Sequence, residues 1–99
     1  SNPALKIPHI GWNRIRLVRD HPVLRGMGAE EEFYFDHSYY PLPEDPGRIL
    51  AECEYGITFP AVIGSANLIA VQFHPEKSGP AGLKILTNFA GWNGTVKVE

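Results

Sequence analysis

The feature that most constrains the fold is the apolar run LIAVQF at residues 68–73, which shows almost no alternation between apolar and polar side chains. A strand with one face in water alternates, whereas a strand covered on both faces reads as a continuous apolar run. We therefore predict that this run is the central strand of a covered sheet. His74 and Pro75 follow it, and Pro75 ends the strand because proline has no N–H to donate to a neighbour.

The rest of the chain predicts further strands and one C-terminal helix. Propensity and patterning predict strands at 12–18, 31–40, 48–56 and 59–64, and a short helical turn at 20–26. The tripeptide SAN joins the last of these strands to the apolar run, which predicts a hairpin. A sheet with a central buried strand needs cover on both faces, and one helix covers about one. We therefore expect the 99 residues to form part of a larger domain.

Two patterns predict which side chains face the core. In the strand at 12–18, Trp12, Ile15 and Leu17 are set against two arginines, which predicts a half-buried strand. In the segment at 78–94, apolar residues stand three apart, with Pro80 near its start, which predicts a helix that docks on the sheet. The apolar stripe of this helix consists of Leu83, Leu86, Phe89 and Trp92.

Composition excludes several classes of function. Nine basic and eleven acidic residues give a net charge of −2 without a basic block, so nucleic-acid binding is not expected. The chain contains no apolar run of about 18 residues and no signal-peptide pattern, so we expect no membrane association and a cytoplasmic location. Cys53 is the single cysteine, which excludes an intrachain disulfide. The four histidines lack metal-ligand spacing, and we expect neither a metal nor a cofactor.

The exit of the apolar run carries the residues of a candidate catalytic pair. Alternate side chains of an extended His-Pro-Glu point to the same side, so His74 and Glu76 can converge. A carboxylate on one ring nitrogen fixes the tautomer, and the other nitrogen can then serve a nucleophile. A structural histidine beside a surface pair of Glu76 and Lys77 explains the same spacing. From the spacing alone, both interpretations stay open.

A set of short motifs along the chain resembles one known family. The motifs are, in order, PHIGWN, HPVLRG, FYFDHSYY, YG with FPA, VQFHPEKSG and GLKILTNF, and together they cover nearly all of residues 6–93. Their order and approximate spacing resemble the C-terminal half of class I (triad) glutamine amidotransferases. Within that family the likeness is greatest to the glutaminase subunits of imidazole glycerol phosphate synthase, which belong to histidine biosynthesis. The resemblance implies an α/β fold, of which residues 1–99 form a single partial domain, mostly β-strands with a C-terminal helix.

The resemblance implies roles for individual residues. His74 is similar to the general base of the triad, and Glu76 to the acid that orients it. Residues 37–39 resemble the loop whose backbone N–H groups hold the carboxylate of the substrate glutamine, which implies substrate binding at Ser38 and Tyr39. Tyr39 and Tyr40 can equally be strand aromatics that pack across a sheet.

The resemblance also implies a docking surface for the cyclase subunit, which helps to seal the route of ammonia. Its residues are Pro8, His9, Trp12, Asn13 and Lys77. Trp12 is expected to anchor it, because an aromatic residue at the centre of an interface carries much of the binding energy. The alternatives are that Trp12 belongs to the core, that Lys77 is a solvated charge and that His9 fixes a local turn beside a proline.

The nucleophile that the family mechanism needs is not found in these residues. The family places a cysteine on a sharp turn within G-x-C-x-G, whereas Cys53 lies in AECEYG between two glutamates whose charges raise the pKa of a thiol. We therefore predict that Cys53 is an ordinary strand residue, that the nucleophile-bearing N-terminal half is absent and that the chain alone has no glutaminase activity. The exposed core of such a fragment would favour a homodimer. The alternatives are a noncatalytic partner-binding remnant and an amidotransferase that serves a different synthase.

Overall fold

The computed structural model of the chain describes residues 4–28, 30–65 and 67–94, and for residues 4–8 and 30 it describes the backbone alone. Short 3-10 turns precede β2, β3 and α1. No helix in the described ranges is long and apolar enough to cross a membrane. The strands and the helix are β1 (Ala4–Leu17), β2 (Glu30–Pro41), β3 (Ile49–Tyr55), β4 (Ile57–Ser65), β5 (Leu68–Val71) and α1 (Gly79–Ala90).

The five strands form one antiparallel sheet in the order β2-β1-β3-β4-β5. The predicted hairpin between β4 and β5 is confirmed, with Val62 paired to Val71. Beyond β5 the chain crosses to the opposite edge of the sheet, where Phe73 forms an antiparallel bridge with Phe35 of β2. The two edges therefore approach each other, and the sheet curls around its own core.

The core lies on the concave face of this curled sheet and combines aromatic rings with aliphatic side chains. Phe33, Phe35 and Phe59 are completely buried, and Phe33 and Phe73 lie with their ring centroids 4.2 Å apart. Ile85 of α1 belongs to the same cluster. The predicted C-terminal helix and the mostly-β character of the chain are thus confirmed.

The prediction that residues 68–73 form a central strand buried on both faces is wrong for the described chain. β5 is an edge strand that pairs with β4 alone. Leu68 is 50% exposed and Ala70 is also exposed, whereas Ile69 and Val71 are half-buried against the core. The run is apolar on both faces, but the described residues cover one of them.

The face assigned to Trp12 from the alternation is also wrong. Trp12 is 55% exposed, whereas Ile15 is completely buried. Positions 12 and 15 differ by an odd number, so their side chains leave opposite faces of a strand. Trp12 therefore shares the convex face with Arg14 and Arg16, and the interpretation that it belongs to the core is contradicted.

The helix docks through a different face from the one that its apolar stripe predicted. Leu83 is 64% exposed, and Leu86 and Phe89 are exposed as well. The buried residues of α1 are Gly82 and Ile85. The face of the helix that turns inward is therefore the one that carries Gly82, which has no side chain. Trp92, just beyond the helix, does pack inward, with its ring 4.8 Å from that of His21.

Candidate active site

The 3-10 turn that follows Phe73 and His74 brings the predicted catalytic pair together. The turn spans Pro75–Lys77, and Nδ1 of His74 lies 2.8 Å from Oε2 of Glu76. Both side chains are partly exposed, at 38% for His74 and 58% for Glu76. The backbone N–H of His74 donates to the carbonyl oxygen of Tyr34 at 2.8 Å, which fixes the turn to the edge of β2.

The charge on Glu76 determines the tautomer of His74. The hydrogen bond from the His74 ring, followed by the Glu76 backbone, holds the pKa of the Glu76 carboxyl below its usual range. The carboxyl is therefore ionised at neutral pH and can only accept a hydrogen bond, so Nδ1 of His74 carries the proton. The lone pair is then on Nε2, to which no residue in the described ranges is hydrogen-bonded. This ring nitrogen can take a proton from a nucleophile.

The predicted substrate-binding residues lie on β2, some distance from this pair. Ser38 and Tyr39 are exposed, and Ser38 is three residues from the bridge at Phe35, or roughly 10 Å along the strand. The register of β1 and β2 shifts beside Ser38, between the pairs Lys6↔Tyr39 and His9↔His37. Such a shift leaves backbone groups without a ladder partner, which suits a backbone anion site.

The two tyrosines of this segment have different environments. Tyr40 is buried, with its ring 5.3 Å from that of Phe59, as the packing alternative predicted. Tyr39 is 57% exposed, and its carbonyl oxygen accepts a hydrogen bond from Nδ1 of His37 at 2.9 Å.

His9 lies inside the protein, where a partner cannot reach its ring. It is 2% exposed and stacks between Tyr55 and Phe35 at centroid distances of 4.0 and 4.5 Å. Nδ1 of His9 lies 3.1 Å from Nε2 of His37. The burial of the ring contradicts the assignment of His9 to the docking surface. Its position inside β1 contradicts the interpretation that it fixes a turn.

Acidification is expected to destabilise the fold because two histidines are buried. Burial lowers the pKa of His9 and of His21 below the ordinary value of 6.5. The unfolded chain then binds these protons at higher pH than the native chain, so stability is lost as the pH falls below about 6.5. Each group contributes a slope of at most about 1.4 kcal/mol per pH unit.

Urea unfolding between pH 7.5 and 5.5 measures this loss of stability. His9→Phe keeps a flat ring between Tyr55 and Phe35 without a titrating group, so its slope should be smaller than that of the unchanged protein. A slope that is the same in both proteins would contradict the role assigned to His9.

Two of the predicted docking residues share one patch on the convex face of the sheet. The rings of Trp12 and Tyr34 meet edge to face at 6.1 Å, and Nζ of Lys77 lies 5.9 Å from the centroid of the Tyr34 ring. We call these three residues the convex patch. Tyr34 was not predicted, although its place between two core phenylalanines of an alternating strand puts it on the outer face.

The remaining docking residues lie outside the convex patch. Asn13 is on the opposite face of β1 from Trp12, and its Nδ2 donates to the carbonyl oxygen of Glu54 at 3.3 Å. For Pro8 the backbone belongs to β1, and its side chain is outside the described residues.

Cys53 is an ordinary strand residue, as predicted. It lies in β3, where it is paired with Ile15 and Phe59 and is almost completely buried. Burial, and secondly the charge of Glu54, raise the pKa of the Cys53 thiol to about 11, so no thiolate forms at neutral pH. Among the described residues no group of three or more histidine, cysteine, aspartate and glutamate side chains could hold a metal ion.

The curled antiparallel sheet is followed by a histidine–glutamate pair with the geometry of the base and the orienting acid of a catalytic triad. The family model of class-I glutamine amidotransferases matches residues 3–91, and the chain belongs to that family. The resemblance inferred from the motifs is thereby confirmed.

Two relatives to which the chain is similar are both subunits of imidazole glycerol phosphate synthase. The chain is 50% identical over 91 residues to the imidazole glycerol phosphate synthase subunit HisH of Halobacterium salinarum, with 90% of this chain and 41% of the relative covered. The subunit HisH of Salinibacter ruber is 52% identical over 86 residues, with 87% and 39% covered. The chain thus spans about two fifths of the length of these curated relatives.

A solved structure supports the fold. A GMP synthase component from Thermoplasma acidophilum superposes with a TM-score of 0.72 at 18% identity, covering 89% of this chain and 46% of that one. At this identity the likeness concerns the fold alone.

Proposed function

We propose that this chain supplies the general base and its orienting carboxylate to a glutaminase. That enzyme hydrolyses glutamine and passes ammonia to the cyclase subunit of imidazole glycerol phosphate synthase, in histidine biosynthesis in the cytoplasm. The observation that carries the proposal is the 2.8 Å contact between His74 and Glu76, which leaves Nε2 of His74 available. The relatives at about 50% identity, which are subunits of that synthase, support the choice of pathway.

The proposed chemistry is acyl transfer through a thioester. A cysteine of the nucleophile-bearing half attacks the side-chain amide carbon of glutamine after Nε2 of His74 has taken the thiol proton. The imidazolium, supported by Glu76, then donates that proton to the departing ammonia. Water hydrolyses the thioester and releases glutamate. Cys53 has no part in these steps, since it is buried and protonated.

The substrate carboxylate is proposed to bind at backbone N–H groups of Ser38 and Tyr39. The register shift beside Ser38 and the exposure of both residues support this assignment. A hydrogen bond between Nδ1 of His37 and the Tyr39 carbonyl oxygen links the two ends of this segment.

The cyclase subunit is proposed to dock on the convex patch of Trp12, Tyr34 and Lys77. A large exposed aromatic side chain, held by a second ring and flanked by a cation, has the character of an interface hot spot. Pro8 and Asn13 are kept as proposed docking residues outside the convex patch, with Asn13 on the opposite face of β1, and the ring of His9 is excluded by its burial.

Trp12→Ala is expected to weaken binding of the cyclase subunit by about 30-fold or more, the loss of a typical hot spot. Titration calorimetry with the complete amidotransferase measures the dissociation constant; by complete amidotransferase we mean these residues joined to the nucleophile-bearing half. Arg48→Ala, in an exposed turn before β3, is the control and should leave the affinity within twofold. Equal affinities for both variants would show that the convex patch is not the docking surface.

The function is tested by measuring glutamate release from the complete amidotransferase, with and without the cyclase subunit. We expect turnover that rises when the cyclase subunit is added. Binding without turnover would favour the noncatalytic remnant. Turnover that ignores the cyclase subunit would favour an amidotransferase of a different synthase.

The uncovered apolar surface is proposed to pack against the nucleophile-bearing half. This surface consists of the outer stripe of α1, with Leu83, Leu86 and Phe89, and the edge of β5. If the chain is produced alone, the same surface is expected to drive a homodimer, which sedimentation equilibrium would detect.

A further inference from the structure

A buried hydroxyl links the turn that carries the proposed general base to the edge of β2. Ser78 is 1% exposed. Its Oγ donates to the carbonyl oxygen of His74 at 2.6 Å and accepts from the backbone N–H of Tyr34 at 2.9 Å. A hydroxyl has one proton and two lone pairs, so it can make both contacts at once.

The hydroxyl completes a two-point attachment between the turn and β2. His74 N–H donates directly to the carbonyl oxygen of Tyr34, while the N–H of Tyr34 reaches the His74 carbonyl oxygen through Ser78. Both backbone groups of His74 are therefore held by the same residue of β2. The Cα position of His74 follows from these contacts, and the contact with Glu76 fixes the orientation of its ring.

The hydroxyl serves the turn and not the helix that it precedes. Ser78 occupies the N-cap position of α1, where a serine side chain ordinarily accepts a hydrogen bond from an N–H of the first helical turn. Here the side chain makes no such bond. The hydroxyl thus makes no capping hydrogen bond to α1 and instead contacts His74 and Tyr34, which are 4 and 44 positions away.

The first turn of α1 packs closely against the turn that follows His74. A Cβ atom on Gly82 would lie 1.9 Å from the carbonyl oxygen of Pro75 and 2.9 Å from Cβ of Ser78. Any side chain at position 82 would therefore displace the turn between His74 and Ser78. This close approach is a second observation, independent of the hydrogen bonds, that the turn is tightly packed against α1.

We propose that Ser78 is a positioning residue for His74, with Gly82 providing the space that the arrangement requires. This inference rests on the proposed glutaminase function for its effect on turnover. A displacement of a reacting group by about 1 Å costs roughly 100-fold in rate even when the mutated residue is remote from the chemistry. Loss of the hydroxyl should therefore act on the proton-transfer step and not on the binding of glutamine.

The test compares Ser78→Ala with Ser65→Ala in the complete amidotransferase. For Ser78→Ala we expect kcat to fall by about 10- to 100-fold while KM for glutamine stays within about twofold. Ser65→Ala, in β4 and apart from the site, should leave both unchanged. An unchanged kcat in a folded Ser78→Ala protein would overturn the proposal. If Ser78→Ala does not fold, the nearly isosteric Ser78→Cys is measured in its place against the same criterion.

Two further readouts separate positioning from a general loss of stability. In the His74→Ala background, Ser78→Ala should lower the residual turnover no further, because a residue that acts through His74 has no effect once His74 is removed. An additional tenfold loss there would contradict the proposal.

The nuclear magnetic resonance signal of the Nδ1 proton of His74 should be sharp in the unchanged protein and broadened in Ser78→Ala. This signal does not depend on turnover, so it tests Ser78 even if the unchanged protein shows no glutaminase activity. A lack of glutaminase activity in the unchanged protein would count against the proposed function alone. Identical Nδ1 proton signals in the unchanged protein and in Ser78→Ala would count against the role of Ser78.

Discussion

His74→Ala is expected to lower kcat of the complete amidotransferase for glutamine by about 10⁴-fold or more, the scale of loss seen when the base of a catalytic triad is removed. The reason lies in the geometry of the pair, in which Nδ1 is committed to Glu76 and Nε2 is available to a nucleophile. Without that nitrogen, the thiol must lose its proton to water. Measurement of glutamate release with saturating cyclase subunit gives kcat directly.

Two controls accompany this measurement. Cys53→Ala should retain turnover within about threefold, because Cys53 is a buried and protonated strand residue. Binding of the cyclase subunit to His74→Ala should match the unchanged protein, which shows that the surface is intact. Retention of more than a tenth of the turnover in His74→Ala would remove His74 from the mechanism.

Glu76→Gln is expected to reduce kcat by less than His74→Ala does, since the carboxylate of Glu76 is largely exposed and acts through the ring. Residues of one catalytic unit are strongly non-additive, so the double variant should lose no more turnover than His74→Ala alone. Loss that multiplies across the two substitutions would show that Glu76 and His74 act independently.

Phe35→Ala is expected to lower the free energy of unfolding by about 3–5 kcal/mol, the usual cost of removing a buried phenylalanine ring. Phe35 is completely buried, and its ring contacts those of His9 and Phe59. Its backbone forms the bridge to Phe73 that closes the curled sheet. Because most domains are stable by only about 5–15 kcal/mol, this single change removes a large part of the total.

Urea unfolding of the variant and of the unchanged protein measures this difference. Leu42→Ala, in the exposed loop after β2, is the matched control and should change stability by no more than about 0.5 kcal/mol. A loss below about 1 kcal/mol for Phe35→Ala would mean that the contact of β2 with Phe73 and its neighbours is not a principal source of stability.

Local patterns predicted the elements of this fold better than their arrangement. The strand expected at residues 31–40 is β2, Glu30–Pro41, because alternation and aromatic content are properties of the segment itself. The segment at residues 4–11 was missed, although β1 begins at Ala4. Its proline and its glycine weaken the local strand signal, and the long pairing with β2 outweighs it.

Orientation could not be derived from the sequence because it depends on distant partners. The helix α1 has apolar residues on more than one side, and its inward face is selected by the absence of a side chain at Gly82 against Pro75. The apolar run at 68–73 indicated a strand with two apolar faces, but the described residues cover only one of them. Trp12 was misplaced by counting apolar residues without their parity.

The candidate site was predictable where its residues are neighbours in sequence. The contact between His74 and Glu76 follows from a spacing of two residues, whereas Ser78 contacts Tyr34 across 44 positions. The same limit applies to the contact of His9 with His37, which joins residues 28 positions apart. Such contacts depend on the curl of the whole sheet, which no local pattern contains.

The central claim is that this chain provides the base and its orienter while the nucleophile lies outside residues 1–99. Labelling of the complete amidotransferase with an electrophilic glutamine analogue, followed by peptide mass mapping, tests it most directly. We expect the adduct on a cysteine outside these residues, formed much more slowly in His74→Ala. An adduct on Cys53, or a labelling rate that His74→Ala leaves unchanged, would contradict the claim.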